Sequence, residues 1–156
     1  MPATHRRLEL DVLDHAIAEI RRLQQHGYEQ AGRWTLGQTC HHLAFVMRGS
    51  LDGFPPGVLA SPVLRFVASR TKRFWIDRPI PKGVKLRGSL AALVPPEPGE
   101  LDESEAVQDA IRCFGRLTSE PQRHVSPVAG ELTREQWDTL HRRHAAHHLG
   151  FLTPRA

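Results

Sequence analysis

The sequence predicts an all-α bundle, and three observations carry that prediction. Apolar residues recur at three- and four-residue steps over several stretches, two Thr-x-x-Gln helix-start signatures precede two of those stretches, and no convincing strand pattern occurs. With 156 residues the chain is long enough to bury one core without disulfide or metal staples, so a single domain over residues 1–156 is expected.

From about His5 to Gln30, the residues Leu8, Leu10, Val12, Leu13, Ile17, Ile20 and Leu23 sit among charges as one amphipathic helix, ending near Gly27. Thr35-Leu36-Gly37-Gln38 is a capping box that opens a second helix running to about Leu51; the Thr hydroxyl accepts a backbone N–H and the Gln side chain reaches back. Asp52-Gly53-Phe54-Pro55-Pro56-Gly57 ends it, because the prolines cannot extend a helix. Ser61-Pro62 reads as N-cap plus first helical residue of a shorter helix through about Trp75. Prolines and glycines from Asp77 to Pro98 predict a long irregular crossover, the kind of loop that is often functional. Asp102 or Ser104 starts the next helix, with Val107, Ala110, Ile111, Phe114 and Leu117 on one face, ending near Glu120-Pro121. Thr133-Arg134-Glu135-Gln136, a second capping box, opens the last helix, which is expected to end at Pro154.

Composition narrows the function classes. The two cysteines, Cys40 and Cys113, fall within predicted helices among apolar neighbours and read as buried thiols in a reducing compartment. The N-terminal residues lack a signal-peptide pattern and no segment approaches the roughly 20 apolar residues of a spanning helix, so a cytoplasmic protein with no membrane partner is expected. The formal net charge is +4, concentrated between Arg65 and Arg87, where Asp77 is the one acidic residue against Arg65, Arg70, Lys72, Arg73, Arg78, Lys82, Lys85 and Arg87. No stacking set, zinc finger or recognition-helix pattern accompanies these charges, so no specific nucleic-acid partner is expected; a solvated helix face followed by a charged loop is the simpler reading. Trp34, Trp75 and Trp137 read as core or rim aromatics.

Chemistry concentrates in His141-Arg142-Arg143-His144-Ala145-Ala146-His147-His148. His144 and His148 are four residues apart, hence on one helix face with Cβ atoms roughly 5–6 Å apart, and that face is the apolar stripe of Trp137, Leu140, Phe151 and Leu152. Two imidazoles aimed at a bundle core need partners, since an unpaired buried polar group costs about 1–3 kcal/mol. A divalent ion satisfies both if another helix supplies a third ligand, as bundle cores commonly arrange. His41 and His42 on the second helix are the donors available; periodicity favours His42 only slightly, and His141 and His147 lie at the margins of the stripe. The bland alternative is a set of core histidines bonded to carbonyls and carboxylates. Three neutral imidazoles suit Zn, Ni or Fe, and spacing does not choose among them. Of the neighbouring acids, Glu135 turns away from the stripe, Asp138 lies nearer its edge, and Glu131 precedes the helix, so no general base stands obviously beside the ligands.

Trp34-Thr35-Leu36-Gly37-Gln38 leading to His42-Leu43-Ala44, Ser50-Leu51-Asp52-Gly53-Phe54-Pro55, and Trp137 through His141, His144, His147-His148-Leu149 and Phe151-Leu152 together resemble the DinB-like superfamily, and within it the domain-of-unknown-function 1569 family. The similarity spans nearly the whole chain. It implies a DinB-like four-helix bundle, here with one additional short helix, often dimeric, in which a histidine of the second helix and a His-x-x-x-His pair of the last bind a divalent metal. Carried over, the ligands are His42, His144 and His148, with His141 a further candidate. Where the family usually has His-Pro-x-x-Gly, this chain has His124-Val125-Ser126-Pro127, and His124 reads as a loop histidine. Understood members of the superfamily use the metal to activate a low-molecular-weight thiol toward an electrophile, so the resemblance implies a metal-dependent thiol S-transferase or related hydrolase-like enzyme, the expected partners being that thiol, a small electrophile and a second copy of the chain. A metal-binding or interaction module without turnover is the alternative.

Overall fold

A computed structural model describes residues 4–156 of the chain. Its helices are α1 (Leu13–His26), α2 (Leu36–Asp52), α3 (Pro62–Trp75), α4 (Glu103–Ser119) and α5 (Arg134–Leu149), and two short strands, β1 (Tyr28–Gln30) and β2 (Leu152–Pro154), pair antiparallel. Helices α1, α2, α4 and α5 form the bundle and supply most of its core. Leu36, Cys40, Leu43 and Met47 of α2 meet Val107, Ala110, Phe114 and Leu117 of α4, with Ala16, Ile20 and Leu23 of α1 and Ala145 and Leu149 of α5 closing the interior. The α2–α4 contact is close because Gly37 has no side chain: a Cβ there would lie 3.1 Å from the Glu103 Cα.

Local signals place the helix starts as read. Thr35 and Thr133 form capping boxes with Gln38 and Gln136, Ser61 caps α3 ahead of Pro62, and Asp102 caps α4. Cys40 and Cys113 are free and buried.

Three expectations are corrected. The first helix begins at Leu13 rather than near His5, because the preceding residues are bonded elsewhere: Arg6 N–H donates to the Gly150 carbonyl, the Arg6 guanidinium to the Leu152 carbonyl and to Glu19. The last helix stops at Leu149, not Pro154; Gly150 lies against the Arg6 backbone, and residues 152–154 form β2. Strands are present after all, with Tyr28 opposite Pro154 and Gln30 opposite Leu152, launched by Gly27 at φ +69°. Each strand has three residues, too few to show alternation.

The crossover after α3 is irregular apart from short 3₁₀ turns at Gly88–Leu93 and Pro98–Glu100. It is pinned to α2 where the Gln38 amide donates to the Pro96 carbonyl. Helix α3 stands outside the core cluster; the residue pair leading into it is held by Ala60 N–H to the Pro127 carbonyl, and the Lys72 ammonium donates to the Glu131 carbonyl. Among the described residues no helix is long and apolar enough to cross a membrane.

Candidate metal centre

Helix α2 turns His42 inward, and α5 presents His144 and His148 one turn apart on the face that meets it. Their ring nitrogens converge. His144 Nε2 is 2.9 Å from His42 Nε2 and 3.1 Å from His148 Nε2, and one nitrogen from each ring lies within 4.8 Å of the other two. Two imidazole nitrogens each about 2.0–2.1 Å from one ion lie roughly 3 Å apart when set at right angles, so the spacing fits a shared cation.

The ring protons fit a shared cation as well. His42 Nδ1 is 2.7 Å from the Leu93 carbonyl oxygen, which can only accept, so Nδ1 carries the proton and Nε2 of the neutral ring presents a bare lone pair. His144 Nε2 has one in-plane position, holding either a proton or a lone pair. A proton there would have to serve both neighbouring nitrogens; a lone pair would face that of His42 at 2.9 Å. Hydrogen bonds therefore satisfy the three nitrogens poorly, whereas one cation accepts all three lone pairs. The Leu93 bond is of the kind that, in metal sites, orients a ligating histidine and raises its basicity.

A model of the DUF1569 family, described as a protein of unknown function, matches residues 3–155. The chain belongs to this family. DUF1569 in turn belongs to the DinB/YfiT-like clan, in agreement with the helical bundle. No curated protein and no solved structure matches the chain.

In this DUF1569 protein, burial holds the three rings neutral, the form that ligates metals. Desolvation pushes the His42 pKa down to about 4 against the opposing pull of the Leu93 carbonyl, with His41 and His147 pushing further down. His144 falls well below the usual histidine range through burial, then through His148 and His42; His148 does so through burial, His42 and His147. His42 is buried, while His144 and His148 retain some surface. Trp34 covers part of that side, stacked on His148 at 5.0 Å and tilted over His42 at 4.9 Å.

The remaining sequence candidates are placed elsewhere. His41 is half-buried, with its pKa lowered by burial and then by Arg48, and it is not among the converging three. His141 is buried and stacked on Trp137 at 5.2 Å, and its Nε2 donates to Ser50 Oγ at 2.9 Å, the hydroxyl itself donating to the Met47 carbonyl. That ring supports the α2–α5 contact and is not among the converging three. His147 lies beside His148 and senses His5 and Lys82, so part of the basic crossover runs near the cluster. His124 is an exposed loop residue whose carbonyl accepts from Trp137 Nε1. Among the described residues the converging group contains no carboxylate: Asp138 pairs with Arg123 and Arg134, and Glu135 is exposed. Two surface hollows, at Gly53–Leu59 with His124–Pro127 and at Pro62–Ser69 with Gly130, include none of the three histidines. Two partners of the cluster have no signal in the residues: the Leu93 carbonyl, since a backbone acceptor in an irregular segment has no residue signature, and Trp34 as the stacking partner of His148.

Proposed function

We propose that this DUF1569 protein binds a divalent metal ion (Zn, Ni or Fe) through His42, His144 and His148, and acts as a thiol S-transferase joining a low-molecular-weight thiol to a small electrophile. The observation that carries the metal reading is the meeting of three Nε2 atoms, one of them stripped of its proton by the Leu93 carbonyl. Three protein ligands, rather than the four of a closed structural site, leave a position for a substrate atom. A divalent ion so held lowers the pKa of a thiol or water that it binds, supplying a nucleophile at neutral pH.

The protein's own groups do the rest. The Leu93 carbonyl fixes the His42 ring, Trp34 shields one side of the cluster from water, and Lys82 near His147 offers a positive charge to a carboxylate of the thiol. The working unit is taken to be a homodimer on the family resemblance, and the free buried thiols suit the cytoplasm. A second reading, a metal-binding module without turnover, is favoured by the lack of a carboxylate in the cluster to serve as general base.

Elemental analysis of tag-free protein, with His42→Ala, His144→Ala and His148→Ala beside it, tests the site. About one metal per chain is expected for the wild type and a sharp loss in each variant; metal retained in all three refutes it. Conjugation of monochlorobimane with a panel of cellular thiols tests the chemistry. Metal-dependent conjugation supports the transferase, and a loaded protein inert toward every pair supports the module.

A further inference from the structure

Helix α3 turns an apolar face to solvent. Val63, Phe66, Val67 and Phe74 are 75%, 61%, 50% and 69% exposed, and residues 63, 67 and 74 stand in helical register along one stripe. Scattered exposed apolar residues are ordinary, but a continuous stripe on a helix outside the core marks an interaction surface. The opposite face, with the buried Ala68, is the one turned to the bundle.

Charge identifies what fits the stripe. From Ser61 to Ile76 the chain carries Arg65, Arg70, Lys72 and Arg73 and no acidic residue. Arg70 and Arg73 are exposed; Arg73 stands beside Phe66 at the stripe's edge, and Arg70 falls within the stripe, its guanidinium 5.0 Å over the Phe66 ring. Exposed Arg78, Lys85 and Arg87 follow in the crossover. A second copy is a poor occupant: pairing α3 with α3 about a twofold axis would bring two such helices together without one compensating carboxylate. Docking α3 on the acidic stretch Glu97–Glu105 of another copy would be head-to-tail and need not close. Nucleic acid accounts for the arginines but not for two exposed phenylalanines and two valines. An apolar stripe with phenylalanines, bordered by arginines and free of acids, is the pattern of a helix lying in the headgroup region of an anionic bilayer.

We propose that α3 docks the protein peripherally and reversibly on anionic lipid surfaces, with Val63, Phe66, Val67 and Phe74 entering the acyl boundary and Arg70 and Arg73 meeting lipid phosphates. This contact lies on the surface and needs no spanning segment. It is also independent of the metal reading, since none of the three histidines takes part.

The test is cosedimentation of full-length protein with phosphatidylcholine vesicles, alone and with about a third phosphatidylglycerol. The wild type should sediment with the mixed vesicles and not with the neutral ones, and release in high salt. Phe66→Ser with Phe74→Ser, and Arg70→Glu with Arg73→Glu, should each weaken partitioning roughly tenfold or more. These side chains are exposed, so circular dichroism and metal content should match the wild type. Absence of wild-type sedimentation with anionic vesicles overturns the proposal without any variant, as does equal binding to neutral ones. Light-scattering mass measurement adds a further arm: a wild-type dimer that Phe66→Ser with Phe74→Ser converts to monomer would make the face a contact between copies and overturn the lipid reading.

Discussion

Replacing His144 by alanine separates stability from metal binding, because both close nitrogen contacts converge on His144 Nε2. In the metal-free protein the substitution removes a ring that its neighbours satisfy poorly, so the lost packing is partly offset and the unfolding midpoint should move little. With metal the outcomes diverge. An ion that binds only the folded state at 100 times its dissociation constant stabilises it by about 2.7 kcal/mol. For a chain of this size about 1 kcal/mol corresponds to roughly 2–4 °C, so the wild-type midpoint should rise by roughly 5–10 °C. His144→Ala should lose nearly all of that rise. Differential scanning calorimetry on chelator-stripped protein, with and without Zn or Ni, measures it. The exposed His26 provides the control, since His26→Ala should shift like the wild type. A rise that persists in His144→Ala, or none in the wild type, would refute a shared ion at these nitrogens.

The metal-free protein should lose stability as pH falls from 7.5 to 5. Burial pushes the pKa values of His141 and His42 from the usual 6.5 to about 3 and about 4, so below pH 6.5 the unfolded chain binds protons that the folded one refuses. The stabilisation is complete above pH 6.5 and shrinks as pH drops, by roughly 2 kcal/mol per histidine at pH 5; urea unfolding at the two pH values checks it, and a flat profile contradicts burial of the neutral rings. Ser50→Ala leaves the buried His141 N–H without its acceptor and should cost about 1–3 kcal/mol, read by urea midpoint, with metal content unchanged. Gly150→Ala would set a Cβ 2.6 Å from the Arg6 backbone oxygen and should destabilise by about 1–3 kcal/mol; unchanged stability would mean that the N-terminal segment yields freely.

What was legible in the sequence is what depends on neighbours in the chain. The starts of α2, α3 and α5 are written in residues one to three apart, Thr35 with Gln38, Ser61 with the adjacent Pro62, Thr133 with Gln136, and the structure realises each. The His144/His148 face follows equally from local geometry. The choice between His41 and His42 was harder because α2 is buried around much of its circumference, from Leu36 to Cys40 and again at Leu43 and Ala44, so a single apolar direction is poorly defined. The start of α1 and the end of α5 escaped for the opposite reason. Arg6 joins Gly150 and Leu152 across most of the chain, and Glu19 thirteen residues on, and these bonds leave no periodic trace near either partner.

The same division explains why apolar periodicity alone does not tell a core face from an exposed one at α3. A stripe of Val63, Val67 and Phe74 has the spacing of a core face, but only the assembled bundle reveals that α1, α2, α4 and α5 already close the interior. Periodicity reports that a face will be buried, not by what. On α5 the same rule holds with the signs reversed: histidines occupy the inward face and reduce its apolar character, yet that face meets α2 and fixes the cluster. Both exceptions are places where sequence spent on something other than packing departs from the pattern of a closed core, which is where function is expected to show. The two departures are chemically distinct, lone pairs turned inward and arginine-bordered apolar surface turned outward, so mutating one should leave the readout of the other intact.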